Sequence, residues 1–127
     1  MNKKSIVFSF EEKEIECFLS VGTYLNNNRL YLGLETDSSF FDDITINLPE
    51  ISLTSDSMVF LNSDLSKDIK KVLLKEGILS SYLYSQQYNY GNYDCYFVDL
   101  DKIREYDPDG YIDFERSNNM DGDYNVG

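Results

Sequence analysis

The segment Ser63–Gly77, SDLSKDIKKVLLKEG, constrains the fold most, because its spacing suits a helix while the segments around it alternate like strands. Its apolar residues recur at about 100° per residue and so share one side of a helix. They are Leu65, Ile69, Val72 and Leu73. The opposite side carries four lysines. The sequence therefore predicts an amphipathic helix that covers a core.

The two ends of this segment carry capping residues. Asn62 or Ser63 is the expected N-cap, because a short polar side chain accepts a bond from a free backbone N–H. Gly77 suits the left-handed residue that follows the last turn. The helix is therefore predicted over about 64–76. Leu74 falls among the lysines, where it is either an ordinary exposed leucine or a contact for a partner.

Short segments rich in β-branched and aromatic residues predict strands on both sides of the helix. They are residues 5–10, 14–21, 29–35, 44–48, 58–62, 79–88 and 93–100. The last two flank Asn89-Tyr90-Gly91-Asn92, whose residues suit a tight turn. The expected fold is α+β, with a single antiparallel sheet of about six to seven strands and the main helix packed on one face.

At 127 residues the chain is long enough for one domain with an ordinary core. We expect a single domain over 1–115 and a frayed or disordered C-terminal tail over 116–127. The pair Phe40-Phe41 lies in an acidic stretch between two predicted strands. These rings either fold back onto the sheet or anchor a partner.

The charge of the chain is strongly negative and unevenly distributed. It has 23 acidic and 11 basic residues, a net charge of −12, yet the predicted helix carries four lysines and three acids. Direct binding to nucleic acid or to an acidic membrane is disfavoured, because phosphate recognition needs basic groups. A basic protein surface would be attracted instead. Alternatively, the acidity serves only solubility.

The chain offers few residues for metal or redox chemistry. Cys17 and Cys95 lie in predicted strands without a CxxC spacing, and the sequence contains no histidine. We therefore expect two buried, reduced thiols, no metal and no cofactor. The N-terminal apolar run is too short for a signal peptide, and no run reaches transmembrane length. A cytoplasmic protein is expected.

The stretch EYDPDGYIDFER, residues 105–116, partly imitates a calcium-binding loop. Asp107 and Asp109 fall at ligand positions, but Arg116 stands where the loop requires a bidentate glutamate. The alternative is a short helix with Asp107 as N-cap and Pro108 as first residue. We favour the helix. Motifs for nucleophilic, phosphate-binding or dinucleotide chemistry are also missing from the sequence, so no enzyme is expected.

Several stretches together resemble an uncharacterised family of small acidic proteins from plasmids, conjugative elements and phages of Firmicutes and Bacteroidetes. The most telling are T-x-N-L-P at 45–49 and Glu-Tyr-Asp-Pro-x-Gly at 105–110. They are accompanied by the stretches LYLGLE, MVFLN and YDCYFVDL and by the helix end KEG. The resemblance covers about residues 29–115. It implies an accessory or anti-defence role, similar to that of antirestriction and anti-CRISPR inhibitors. The family offers no established active site to carry over.

Our hypothesis from the sequence is a non-enzymatic binding protein of a mobile element. It would inhibit a host nucleic-acid-binding defence protein, such as a CRISPR effector nuclease, by presenting carboxylates in place of DNA phosphates. The alternative is a small structural or accessory module whose acidity gives solubility. The candidate partner-binding residues are Asp99, Asp101, Glu105, Asp107, Asp109, Asp113 and Glu115, with Tyr88, Tyr90 and Tyr93 as apolar anchors.

Overall fold

Two antiparallel four-stranded sheets and three helices form the α+β fold in the computed structural model, which describes residues 3–118. The strands are β1 (Ser5–Phe10), β2 (Lys13–Thr23), β3 (Leu30–Glu35), β4 (Phe40–Asp43), β5 (Thr45–Ile46), β6 (Met58–Leu61), β7 (Leu79–Tyr88) and β8 (Gly91–Val98). The helices are α1 (Lys67–Lys75), α2 (Leu100–Tyr106) and α3 (Pro108–Ser117). Within residues 3–118, no helix is long and apolar enough to span a membrane.

The predicted α+β class is confirmed, but the prediction of a single sheet is wrong. Sheet 1 has the order β1-β2-β3-β4 and sheet 2 the order β5-β6-β8-β7. The chain passes between them at Ile44, since β4 ends at Asp43 and β5 begins at Thr45. Local alternation predicts that a segment is a strand, but it does not say which strands pair. The predicted strand 44–48 is therefore a short piece of the second sheet.

The main helix α1 is shorter than predicted and has a different N-cap. Ser66, and not Asn62 or Ser63, caps it by accepting bonds from the amides of Asp68 at 3.1 Å and Ile69 at 3.4 Å. Gly77 has the predicted left-handed backbone, with φ 81°. Ile69 and Leu73 are buried against the core.

The side chain of Lys70 links α1 to sheet 2. Its Nζ lies 3.3 Å from a carboxylate oxygen of Asp94 and 5.1 Å from the centre of the Tyr96 ring. Burial alone would lower the pKa of Lys70, but the bonds to Tyr96 and Asp94 outweigh it and raise the pKa. The basic helix is thus a scaffold element, and Leu74 on its outer side is 39% exposed.

The helix α2 was not predicted, because Leu100 was assigned to the end of a strand. The strand β8 ends at Val98, and Asp99 then caps α2 by accepting bonds from the amides of Asp101 and Lys102. The predicted C-terminal helix is confirmed as α3, with Asp107 as N-cap and Pro108 at its start. It includes Arg116 and Ser117, while residues 119–127 of the expected tail lie outside the described residues.

Two apolar clusters hold the fold together. The larger joins sheet 1, the three helices and one face of sheet 2, and the smaller lies on the other face of sheet 2. Cys17 belongs to the first cluster and Cys95 to the second. Both thiols are buried and free, with no disulfide between them, as predicted. Burial raises the pKa of both thiols, which disfavours the reactive thiolate.

The two phenylalanines of β4 have different environments. The ring of Phe41 makes edge contacts with Phe8 and Phe10, each at a centroid distance of 5.5 Å. Phe41 therefore folds back and closes one end of the core. Phe40 points the other way and is 64% exposed.

Thr45 and Arg29 explain why the T-x-N-L-P stretch matters to the fold. The Thr45 hydroxyl is buried between the two sheets, where it accepts from the Leu32 amide at 3.1 Å and pairs with the Tyr24 hydroxyl at 2.9 Å. The Arg29 guanidinium donates to the carbonyl oxygens of Leu48 and Ile51. These bonds hold the start of sheet 2, and the loop after it, against sheet 1.

The Asp-Pro-x-Gly stretch joins α3 to β2. Val21 lies on β2 beyond the end of β1, whose first residue, Ser5, pairs with Phe18. The amide of Val21 donates instead to Asp107 Oδ2 at 2.8 Å, in a buried bond that spans 86 residues of sequence. At Gly110 the helix approaches so closely that an added Cβ would overlap both the Val21 carbonyl oxygen and Asp107 Oδ2. We call this contact the α3–β2 junction.

Replacing Gly110 with alanine should therefore lower the free energy of unfolding by about 2 kcal/mol or more, although alanine is the better helix former. The overlap involves backbone, which cannot move aside as a flexible side chain can. Urea denaturation would measure the change. Gly22→Ala is the matched control, since its added Cβ would meet only the Tyr31 ring, at an ordinary 3.7 Å. Equal stability of the two variants would contradict the close approach at Gly110.

Candidate protein-binding surface

The predicted binding residues fall into two separate groups in the structure. The seven acids lie on α2 and α3, or cap them, and these helices pack on each other and against β2 of sheet 1. The three tyrosines lie on the hairpin β7–β8, which packs against β6 in sheet 2. The fold therefore separates the expected anchors from most of the expected acidic track.

The acids of α2 are exposed but largely matched by nearby cations. Asp101 Oδ1 lies 3.0 Å from a guanidinium nitrogen of Arg104. The carboxylate oxygens of Glu105 lie 3.5 Å from Lys102 Nζ and 3.7 Å from Lys4 Nζ. Because charge compensation weakens the outward field, this helix contributes less to a negative surface than its sequence indicates.

Asp107 is a structural residue and is not available to a partner. It is only 7% exposed and holds the α3–β2 junction through its bond from Val21. Its second oxygen accepts from the Gly110 amide at 3.3 Å and lies 3.7 Å from Lys3 Nζ. This burial could not be predicted from the sequence, since Asp107 also suits an exposed N-cap.

Next to Asp107, Tyr106 is buried as well. Its hydroxyl donates to Glu76 at the end of α1 at 3.1 Å, and Lys4 Nζ lies 4.9 Å from the centre of its ring. Burial and the bond to Glu76 raise the pKa of Tyr106 to about 12. The motif Tyr-Asp-Pro-x-Gly is thus explained by packing and hydrogen bonding within the fold.

The acids of α3 are the least compensated part of the predicted track. Asp109 and Asp113 are exposed and lie one helical turn apart, with the half-buried Glu115 beyond them. In the described part of the chain, no lysine or arginine forms an ion pair with any of the three. Ile112, on the same helix directly before Asp113, is 40% exposed. This face combines free carboxylates with an apolar contact.

The hairpin tyrosines differ in how far they are available. Tyr90 stands at the tip of the β7–β8 turn and is fully exposed. Tyr88 and Tyr93 are half-buried against the smaller apolar cluster, and the Tyr88 hydroxyl donates to Glu50. That bond raises the pKa of Tyr88. Of the three predicted anchors, Tyr90 alone is freely accessible.

A second acidic surface lies in the segment EEKEIE, residues 11–16, which is not among the binding residues predicted from the sequence. Glu11, Glu12, Glu14 and Glu16 are all exposed on the hairpin β1–β2, with Lys13 as the cation among them. Among residues 3–118, none of these glutamates forms an ion pair. The density of glutamates in this short segment was the signal that could have identified the surface.

A polar cleft of about 190 Å³ lies between the turn before β3 and the end of α3. The residues that line this cleft include Asn27, Arg29, Asp56 and Asn118. The guanidinium of Arg29 is already committed to two backbone carbonyls, so its position follows from the fold. Within residues 3–118, no three His, Cys, Asp or Glu side chains are grouped to hold a metal ion.

A family model described as a domain of unknown function, DUF4313, matches residues 18–118, about four-fifths of the chain. The match begins within β2 and runs to the end of α3, so it includes both the T-x-N-L-P stretch and the α3–β2 junction. Comparison with curated proteins and with solved structures finds no match.

The different roles of Asp107 and Asp113 can be tested directly. Asp107→Ala should lower the free energy of unfolding by about 2–3 kcal/mol, because it leaves the buried Val21 amide unpaired and removes the cap of α3. Asp113→Ala should change it by no more than about 0.5 kcal/mol, since Asp113 is exposed and forms no ion pair within residues 3–118. Chemical denaturation of both variants measures the difference. Equal losses would contradict the assignment of Asp107 as structural.

Proposed function

The chain belongs to the DUF4313 family, and we propose that it is a non-enzymatic binding protein whose exposed carboxylates engage a basic surface of another protein. The observation that carries this proposal is the face of α3, where Asp109 and Asp113 are exposed and form no ion pair within residues 3–118. A net charge of −12 adds long-range attraction to such a partner. The exposed Ile112, directly before Asp113, offers apolar contact.

The partner class that suits this face best is a nucleic-acid-binding protein. Such proteins present arginines and lysines that grip phosphates, and carboxylates make charge-assisted bonds with the same side chains. Asp109 and Asp113 would bind in place of phosphates, and the glutamates of the β1–β2 hairpin would extend the negative field. Asp107 is excluded from this role by its burial.

More specifically, we propose an inhibitor that is encoded by a mobile genetic element and acts in the host cytoplasm. Its target would be a nucleic-acid-binding defence protein, such as a CRISPR effector nuclease. The resemblance carried by T-x-N-L-P at 45–49 and by Glu-Tyr-Asp-Pro-x-Gly at 105–110 motivates this form. Mimicry of DNA would then block the nuclease without any chemistry.

A second candidate is a small accessory module whose acidity only maintains solubility. The observation that favours it is the pairing of Asp101 and Glu105 with Arg104, Lys102 and Lys4, which interrupts the negative track along α2. A mimic of a phosphate backbone would gain from an unbroken row of free acids. If the acidity serves only solubility, the protein needs no particular acidic face for binding.

Reversing the charge of the α3 face distinguishes the two candidates. Asp109→Lys with Asp113→Lys should abolish capture of nucleic-acid-binding proteins from a bacterial lysate at physiological salt, because the introduced lysines repel a basic surface. Captured proteins should also be released by added double-stranded DNA, which competes for the same residues. Immunoprecipitation followed by mass spectrometry provides the measurement.

The matched control is Asp64→Lys with Asp68→Lys at the start of α1. It changes the net charge equally and also replaces one acid in the first turn of a helix, as the α3 variant does. It should capture the same proteins as the unmodified chain. If both double variants bind alike, or if added DNA releases nothing, the solubility alternative is favoured and the mimicry proposal is contradicted.

A further inference from the structure

The two sheets have four edge strands, and three of them are protected against pairing with another chain. The helix α1 packs against β1 and makes only a smaller contact with β7. The strand β4 carries Asp42 and Asp43, and β5 has only two residues. Proteins commonly protect exposed edges by covering, charging or shortening them. The fourth edge, β7, is ten residues long, and no strand pairs with its outer side among residues 3–118.

The strand β7 also lacks the side chains that normally prevent edge pairing. Its sequence, LSSYLYSQQY, contains no charged residue and no proline. The uncharged stretch extends from Gly77 to Tyr93, in a chain in which 27% of residues are charged. Tyr82 on this strand is 54% exposed and adds apolar area beside the edge. An unprotected edge of this length is typical of an interface.

The regular part of β7 presents backbone groups at the free edge of sheet 2. Two register shifts distort the strand between Leu79 and Tyr84, but from Tyr84 to Tyr88 it pairs with β8 residue by residue. The pair Tyr88–Gly91 closes the two-residue turn and is hydrogen-bonded. Hydrogen-bonded and non-hydrogen-bonded pairs alternate along an antiparallel ladder, so Tyr84, Gln86 and Tyr88 bond to β8. The N–H and C=O groups of Ser85 and Gln87 therefore point away from β8, toward the free edge. The Gln87 carbonyl oxygen accepts there from Gln86 Nε2 at 2.9 Å, and this exposed side chain would have to give way to a pairing strand.

From these observations we infer that β7 pairs antiparallel with β7 of a second copy of this chain. The two copies would be related by a two-fold axis, and their second sheets would join into one continuous eight-stranded sheet. A two-fold interface uses the same patch twice, so that patch must be complementary to itself. An uncharged edge satisfies this condition, whereas β4, the other accessible edge, would set aspartates against aspartates.

The overall charge makes this dimer dependent on salt in a distinctive way. Two chains with a net charge of −12 repel each other, and dissolved ions screen that repulsion. The strand β7 carries no charge, so screening by salt does not weaken its backbone pairing. Added salt should therefore strengthen the dimer, while it should weaken binding of the acidic α3 face to a basic partner. The two interactions can thus be tested separately.

Analytical ultracentrifugation of the full chain tests the inference. We expect a reversible monomer–dimer equilibrium in the micromolar range, as befits a small interface, and a shift toward dimer between about 0.05 M and about 0.5 M salt. A chain that remains monomeric up to about 1 mM in both salts would overturn the inference. So would a dimer that dissociates as salt is added.

A pair of lysine variants locates the interface. Ser85→Lys with Gln87→Lys should remove the dimer, because in the paired state four lysines would be brought together. Ser52→Lys with Thr54→Lys makes the same change in net charge on exposed positions of the loop between β5 and β6, and it should leave the dimer intact. Dimers that survive the first pair, or are lost with the second, would contradict pairing through β7.

Amide hydrogen exchange supplies a test that needs no variant. In the dimer the amides of Ser85 and Gln87 gain bonds, so their exchange should slow as the protein concentration rises. The Gln86 amide points toward β8 in both states and should be little affected. Exchange at Ser85 and Gln87 that does not change with concentration would overturn the inference.

Discussion

The bond between the Val21 amide and the Asp107 carboxylate is the interaction on which the rest of the structure depends. It joins positions 86 residues apart and attaches α3 to β2, an inner strand of sheet 1. Gly110 lets the helix approach the backbone of that strand, and Pro108 begins the helix where no amide donor is needed. A motif that resembles a ligand site is thus part of the framework.

Fixing α3 in this way decides which acids can reach a partner. Asp107 is used within the fold, whereas Asp109 and Asp113 are on the outer face of the same helix. Compensation by lysine and arginine reduces the contribution of α2, and the β1–β2 hairpin adds free glutamates. The negative surface is therefore defined by how helices and ion pairs are arranged, and not by the number of acids in the sequence. The uncharged edge at β7 is the exception to this acidity.

Local patterns predicted the strands other than β4, the amphipathic helix α1 and the Asp107-capped α3, because each depends on neighbouring residues. The segment of β4 was predicted to lie between strands, because its acidic residues do not alternate with apolar ones. They failed where the deciding partner is distant. The division into two sheets depends on Thr45, whose hydroxyl bonds to Leu32 and Tyr24. The burial of Asp107 depends on Val21. The helix α2 was missed because the predicted strand 93–100 extends over its N-cap, Asp99, and its first residue, Leu100.

Native-state hydrogen exchange at the Val21 amide tests the central claim most directly. If this amide is buried in a bond to Asp107, it should exchange only when the whole domain unfolds, at the same free energy as the slowest core amides. Exchange at a rate typical of an exposed strand end would contradict the account. In that case Asp107 would not anchor α3, and the division between structural and free acids would have to be abandoned.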